Sequence, residues 1–192
     1  YFSHGGWYDR KSLAFRSIVD VQIIGAMGAR DNGANEISSR FLWHHNHVVV
    51  AHYSESSLKK IYSNVVEWFF NHGTLEEGSD KEYTKEVRDI SESLVVGSIA
   101  VYHAVCEKLR PTPSKPHYLF NMRDLGRVFQ GFALSSVESL SSKGDVAKCW
   151  AHEMTRVFQD RLCDNSDHDW FEETLQQKLH THFGFMWKDL ME

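Results

Sequence analysis

Two short, almost uninterrupted apolar runs lie in the first third of the chain and limit its fold more than any other feature. Residues 18–27 (IVDVQIIGAM) and 46–53 (NHVVVAHY) are rich in β-branched side chains. This composition is typical of strands that are buried on both faces of a sheet. A loop rich in glycine and asparagine follows the first run at residues 28–35, and residues 36–44 can form a short helix before the second run.

From residue 54 onward the apolar residues recur at helical spacing. Serines at positions 54–57 predict the start of a helix, and the polar residues 71–81 predict a linker. A proline-rich segment at residues 111–116 interrupts the helical pattern because proline breaks helices. The further helices are predicted at residues 83–109, 121–135, 145–162 and 170–183. The predicted fold class is therefore α/β followed by all-α.

The composition is that of a folded protein without a strong attraction for polyanions. Of the 192 residues, 42% are hydrophobic and 13% are aromatic, which is enough for a core. A formal charge of −5 argues against nucleic-acid binding, and no apolar run is long enough to predict a membrane helix. Three cysteines without metal-type spacing and the lack of a signal peptide favour an intracellular piece of a longer chain.

The sequence lacks the motifs that bind phosphate. No glycine is followed by lysine, so a GxxxxGK[ST] loop is absent. No predicted strand ends in a pair of carboxylates that could hold Mg²⁺, and Asp20, inside the first apolar run, is better explained as an edge or turn residue. We therefore predict no catalytic residue in this chain and no hydrolysis of ATP by the chain alone.

Histidine-rich positions offer a weak case for a metal site. His44, His45 and His47 are expected to face solvent at a corner between helix and strand. His152 and Glu153 begin a zinc-binding helix motif, but Arg156 stands where the second histidine must be. A zinc hydrolase is therefore the weakest alternative, and no metal-ligating residue is predicted.

Two arginines are better candidates for function. Arg40 lies on the short predicted helix before the second apolar run, where it can be a finger that reaches a neighbour's γ-phosphate or simply a surface arginine. Arg123 lies at a predicted helix start, where a cation opposes the helix dipole, so that a phosphate nearby would explain it. Arg127, one turn further on, is expected to pair with Asp124 or another neighbour.

Several segments resemble the dynein heavy chain, in its third AAA+ module, and the axonemal heavy chains more closely than the cytoplasmic ones. These segments occur in the right order over nearly all of the chain. They are HGGWYDR at 4–10, VDVQIIGAMG at 19–28, SRFL at 39–42, PTPSK at 111–115, HYLFNMRD at 117–124, RVFQG at 127–131, HEMTRVFQDRL at 152–162 and DWF at 169–171.

The resemblance implies a partial AAA+ module, similar to P-loop NTPases, with a helical lid. Residues 1–72 would be the C-terminal part of the large α/β subdomain, and residues 73–192 the helical small subdomain. Arg123 would be the second sensor, in contact with the module's own nucleotide, and Arg40 would be the finger presented to the preceding module. The phosphate loop and the carboxylates for Mg²⁺ would lie upstream of Tyr1, so ATP or ADP and Mg²⁺ would bind only to the complete module.

The implied partners are the neighbouring AAA+ modules of the same heavy chain, other dynein subunits and, through the parent chain, microtubules, with no nucleic acid or membrane. The implied location is the cytoplasmic cytoskeleton, in a ciliary or flagellar axoneme. The chain departs from the family pattern in three places: the altered loop at 28–35, Trp43 in place of an arginine, and Ala26-Met27 in place of a polar strand end. The altered loop and Trp43 favour an alternative, a non-catalytic structural segment without nucleotide contact.

Overall fold

The structure is a computed structural model that describes residues 1–28, 36–72 and 83–191. The chain divides into two compact units, Tyr1–Ala51 and His52–Glu192. The predicted loop at 28–35 and the predicted linker at 71–81 lie almost wholly outside the described residues. The division into compact units assigns the helix that follows residue 54 to the second unit, whereas the subdomain boundary after residue 72 stays a prediction.

A small antiparallel hairpin lies near the start of the first unit. Strand β1 (Gly6–Tyr8) pairs with β2 (Phe15–Ser17). The carboxylate of Asp9 accepts two backbone N–H bonds of the turn, each at 2.9 Å, and these bonds lower its pKa. Arg16 lies 3.0 Å from the same carboxylate. A side chain at position 6 would lie 2.1 Å from the carbonyl oxygen of residue 16, so the pairing requires Gly6.

The two predicted strands at 18–27 and 46–53 are wrong for this structure. Neither run belongs to a sheet within the described ranges. The side chains of Val48, Val49 and Val50 are 86%, 91% and 83% exposed. The amino-acid types suit a strand, but a strand forms only where a neighbour completes its hydrogen bonds. No described segment pairs with either run, so both remain irregular.

Helices are the main elements of the second unit. Helix α1 (Ser39–Leu42) lies in the first unit and is shorter than the predicted helix at 36–44. The others are α2 (Glu55–His72), α3 (Lys85–Asp89), α4 (Ser91–Lys108), α5 (Met122–Ala133), α6 (Lys143–Phe158), α7 (Asn165–Phe183) and α8 (Trp187–Met191). A 3₁₀ turn, Gln159–Arg161, continues α6. This arrangement confirms the helical lid of the predicted fold class.

The core lies where α4 packs against α2 and α7, and where α5 packs against α6. Trp150 of α6 is fully buried, and its indole N–H donates to the hydroxyl of Ser98 on α4 at 3.0 Å. The ring of Tyr62 on α2 stacks on Phe129 of α5 with centroids 4.4 Å apart. The first contact joins α6 to α4, and the second holds α5 against α2 and thereby fixes the direction in which the N-terminus of α5 faces.

One predicted helix is two helices. Residues 83–109 have continuous helical periodicity, yet the structure separates α3 from α4 at Ile90. Ile90 has ψ −5° and is buried. The break lets Val87 before it and Leu94 after it both pack in the core. Such a break depends on tertiary packing, so it cannot be predicted from the spacing of apolar residues along the sequence. In the part of the chain that is described, no helix is both long and apolar enough to cross a membrane.

Candidate functional site

The N-terminus of α5 is fixed by two reciprocal hydrogen bonds. The side chain of Asn121 accepts the backbone N–H of Arg123 at 2.9 Å. The carboxylate of Asp124 accepts the backbone N–H of Asn121 at 3.0 Å. This capping box satisfies helix-terminal donors that would otherwise lack partners. The backbone that carries Arg123 is therefore held in one conformation.

The guanidinium of Arg123 has no protein partner among the described residues. Its side chain is exposed, and neither a hydrogen bond nor an ion pair engages it there. A positive charge at a helix N-terminus is unfavourable for the helix itself. Its position therefore contributes nothing to local stability and leaves a cation available to an anion near the start of α5.

Asp124, the next residue, is buried and contacts two other arginines. Its carboxylate lies 3.1 Å from Nη1 of Arg161 and 3.5 Å from Nη1 of Arg127. Only 4% of Asp124 is exposed, so its charge requires such partners. The predicted pairing of Arg127 with Asp124 is confirmed. Arg123 is therefore the one arginine of this group that is not engaged within the described structure.

Arg161 also holds the loop between α4 and α5, residues 109–121, which we call the α4–α5 loop. Its Nη2 donates to the carbonyl oxygens of His117 and Leu119 at 3.1 and 3.3 Å. Its guanidinium carbon lies 4.9 Å from the centre of the Phe120 ring, a distance at which cation–π attraction is effective. One side chain at the end of α6 therefore binds both the loop and the helix that follows it.

A second set of contacts binds the α4–α5 loop to the start of α7. Lys115 forms ion pairs with Asp164 and Asp167. The hydroxyl of Tyr118 donates to Asp167 at 2.8 Å and accepts the backbone N–H of Cys163 at 3.0 Å. The hydrogen bond from Lys115 is the main reason that the pKa of Asp167 is lowered. The loop that leads into Arg123 is thus attached at two points.

Arg40 lies in the first unit, on α1. It is exposed, and its guanidinium has no hydrogen bond or ion pair to any residue that the structure describes. Phe41, its neighbour, packs on Phe2 with ring centroids 5.5 Å apart, which anchors the short helix. Trp43, at the end of α1, is 88% exposed. Both candidate arginines are therefore accessible, each within its own unit.

The histidines and Glu153 have partners other than a metal. His45 and His47 lie 3.2 and 3.1 Å from carbonyl oxygens in the last turn of α1, which leaves them at the expected corner after the helix. Glu153 accepts a hydrogen bond from Nε of Arg156 at 3.0 Å, while His152 is exposed. Within residues 1–28, 36–72 and 83–191, no group of three or more potential ligands could hold a metal ion. Asp20 lies in a bend with φ 60°, as expected of a turn carboxylate.

Sequence reasoning proposed Arg123 as a candidate but did not point to the residues that hold its helix. The spacing of Asn121 and Asp124 is that of a capping box, so this signal was present in the sequence. Arg161 gives no comparable signal because its contacts with Asp124 and the α4–α5 loop join distant parts of the chain.

Comparison with known proteins decides the family. The family model of the AAA+ lid domain matches residues 94–191, and that of the P-loop containing dynein motor region matches residues 1–53. The chain belongs to the dynein heavy-chain family. Residues 94–191 are accordingly an AAA+ lid domain, and the α5 terminus that carries Arg123 lies within this matched range.

The similar curated proteins are also dynein heavy chains. Dynein axonemal heavy chain 1 of Mus musculus is 38% identical over 183 residues, which is 93% of this chain. The protein of the same name from Homo sapiens is 37% identical over 92% of this chain. The Dynein-1-beta heavy chain, flagellar inner arm I1 complex, of Chlamydomonas reinhardtii is 33% identical over 98% of it. This chain spans about 4% of the length of each of these relatives.

Proposed function

We propose that this chain is part of the third AAA+ module of an axonemal-type dynein heavy chain, and that its lid senses the nucleotide of that module. In this proposal the complete module binds ATP or ADP with Mg²⁺, and Arg123 contacts the phosphates in cis. The lid then transmits the nucleotide state to the neighbouring modules. The parent chain would use ATP hydrolysis to move along microtubules.

The guanidinium of Arg123, which has no hydrogen bond or ion pair to any residue that the structure describes, carries this proposal. The capping box around Asn121 fixes the backbone of Arg123, while the neighbouring Arg127 and Arg161 are both engaged by Asp124. An exposed arginine at a rigid helix start can bind phosphate oxygens with several N–H donors at little cost in conformational entropy. Nucleotide phosphates would also relieve the repulsion between its charge and the helix dipole.

The test is nucleotide binding by the intact heavy chain with Arg123→Ala. Photoaffinity labelling with an azido-ATP, mapped by mass spectrometry, reports occupancy of the module that carries this segment. We expect the substitution to weaken labelling roughly tenfold or more, since a charge-assisted bond to phosphate contributes about 1.5–3 kcal/mol. Arg110→Ala is the matched control, because Arg110 is exposed and, among the described residues, its side chain bonds to the backbone carbonyl of Glu107 at the end of α4. Equal labelling in Arg123→Ala and the wild type contradicts the proposal.

Arg40 is proposed as the finger that reaches the nucleotide of the preceding module. Its side chain is exposed and, within the described residues, has no hydrogen bond or ion pair, which supports this role. Arg40→Ala should then slow hydrolysis at the preceding module more than it weakens nucleotide binding there, because a finger acts on the transition state. A loss of binding without a loss of turnover is the opposite pattern and argues against a finger.

Trp43 favours a second candidate function for the same surface. An indole that is 88% exposed beside Arg40 suits an apolar contact with another protein surface better than a phosphate. In this alternative the segment is a structural element of the ring without nucleotide contact. Trp43→Ala would then weaken the association of neighbouring modules, whereas Arg40→Ala would change neither association nor hydrolysis.

The proposed setting follows from the names of the similar proteins. Axonemal and flagellar heavy chains suggest a place in the cytoskeleton of a cilium or flagellum. The direct partners would be the adjacent AAA+ modules of the same chain and other dynein subunits, and contact with microtubules would occur through other parts of the heavy chain. Localisation of the tagged heavy chain to axonemes tests this setting.

A further inference from the structure

We propose that Arg161 is a positioning residue for Arg123, and that it sets the orientation of the α5 terminus from the end of α6. This inference rests on the proposed function of Arg123 as a nucleotide sensor. It is carried by a separate observation, the set of contacts that Arg161 makes with both the α4–α5 loop and Asp124.

A continuous series of polar contacts leads from Arg161 to the backbone of Arg123. Nη1 of Arg161 lies 3.1 Å from the carboxylate of Asp124. That carboxylate accepts the N–H of Asn121 at 3.0 Å, and the side chain of Asn121 accepts the N–H of Arg123 at 2.9 Å. A displacement of Arg161 therefore removes the main partner of the carboxylate that closes the capping box.

The planar guanidinium is needed because Arg161 binds in two directions. While Nη1 meets Asp124, Nη2 donates to the carbonyl oxygens of His117 and Leu119 at 3.1 and 3.3 Å. A lysine ammonium can pair with a carboxylate but cannot bridge both groups with the same fixed geometry. Arg161→Lys therefore keeps the charge in place while it loses the connection between loop and helix.

Arg127 cannot take over this task. It meets Asp124 at the longer distance of 3.5 Å, and 55% of its side chain is exposed, so solvent weakens the attraction. It also lies on α5 itself, so it cannot fix that helix relative to α6. Arg161 extends from the 3₁₀ turn after α6 and joins two elements.

The first arm of the experiment measures local order in this chain. Hydrogen exchange at the backbone amides of Asn121 and Arg123 should become roughly two- to tenfold faster in Arg161→Lys, the range that corresponds to one lost hydrogen bond. The amides of α4 should not change. Arg156→Lys is the matched control, since Arg156 also lies at the end of α6 but pairs with Glu153. Equal exchange at the α5 terminus in Arg161→Lys and the wild type overturns the inference.

The second arm measures coupling in the intact heavy chain by azido-ATP labelling of this module. Arg161→Lys should weaken labelling roughly three- to thirtyfold. Adding Arg161→Lys to Arg123→Ala should cause little further loss, because Arg161 acts by positioning the Arg123 guanidinium, which Arg123→Ala has already removed. If Arg123→Ala weakens labelling but the fold loss in the double variant equals the product of the two single losses, the positioning role of Arg161 is wrong and the sensor role of Arg123 stands. If Arg123→Ala has no effect, the sensor role is wrong and this inference is wrong with it.

Discussion

The indole nitrogen of Trp150 lies 3.0 Å from the hydroxyl oxygen of Ser98, and both side chains are fully buried. The Ser98 hydroxyl in turn donates to the carbonyl oxygen of Leu94 at 2.7 Å. This pair joins α4 to α6 at the centre of the lid. Among the described residues, the acceptor of the buried indole N–H is the Ser98 hydroxyl oxygen.

Ser98→Ala should lower the free energy of unfolding by about 1–3 kcal/mol, because the buried indole N–H loses its acceptor. Chemical denaturation followed by tryptophan fluorescence measures the change. Thr181→Ala is the matched control, since the hydroxyl of Thr181 also bonds to a carbonyl one turn earlier, at 2.8 Å, but is exposed. A loss of stability as large in Thr181→Ala as in Ser98→Ala contradicts the importance of the buried pair.

Two glycines of α5 should respond to alanine in opposite ways. A Cβ at Gly131 would lie 2.0 Å from Oε2 of Glu153, whereas the nearest atom to a Cβ at Gly126 is 3.8 Å away. Gly126→Ala should stabilise the lid by about 0.5–1 kcal/mol through helix propensity. Gly131→Ala should destabilise it by about 1–3 kcal/mol because Glu153 must leave its place beside Arg156. Thermal unfolding of both variants checks the sign, and stabilisation by both would refute the predicted steric conflict.

The free energy of unfolding should fall at acidic pH in part because Asp167, which holds the α4–α5 loop, becomes protonated. Lys115 lowers the pKa of Asp167 in the folded chain. A depressed pKa contributes stability that is present above the unfolded value, near pH 4, and is lost as the pH falls through the folded value. Asp167→Asn should therefore flatten the decline in unfolding free energy below about pH 4. Asp169→Asn, at an exposed position of the same helix, is the control, and an equal change in both variants contradicts the role of the Lys115 pair.

The three cysteines should differ in their reaction with iodoacetamide. Burial raises the pKa of the Cys106 and Cys149 thiols, which lowers their thiolate fraction at neutral pH. Cys163 is exposed. We expect Cys163 to be alkylated first in the native chain, and all three to react at similar rates in denaturant. Mass spectrometry of timed samples measures the order in which the three thiols are alkylated. Alkylation of Cys149 before Cys163 would contradict the burial of Cys149 in the structure.

The helical part of the fold could be predicted because its signals are local. Residues 121–135 have an amphipathic pattern, and the structure forms α5 at Met122–Ala133. The same reasoning located α6 and α7, although α7 begins earlier than predicted, at Asn165. The break at Ile90 escaped prediction because it depends on packing of two successive helices against one core.

The apolar runs and the candidate site were predicted less completely. Residues 18–27 and 46–53 have the composition of strands, but pairing depends on neighbours that composition cannot specify. Arg123 was proposed from its place at a predicted helix start, and the structure does place it in the first turn of α5. Its connection through Asp124 to Arg161 could not be found, because an arginine gives no sign in sequence of which distant carboxylate it will meet.

The exposed valines at 48–50 have a consequence for the behaviour of the isolated chain. Their backbone N–H and C=O groups belong to no sheet in the described structure, and their side chains face water. An exposed apolar segment whose backbone groups are not paired in a sheet can pair as a strand with the same segment of a second molecule. Self-association through this segment should therefore increase with protein concentration, and a lysine at position 49 should suppress it by acting as a gatekeeper charge.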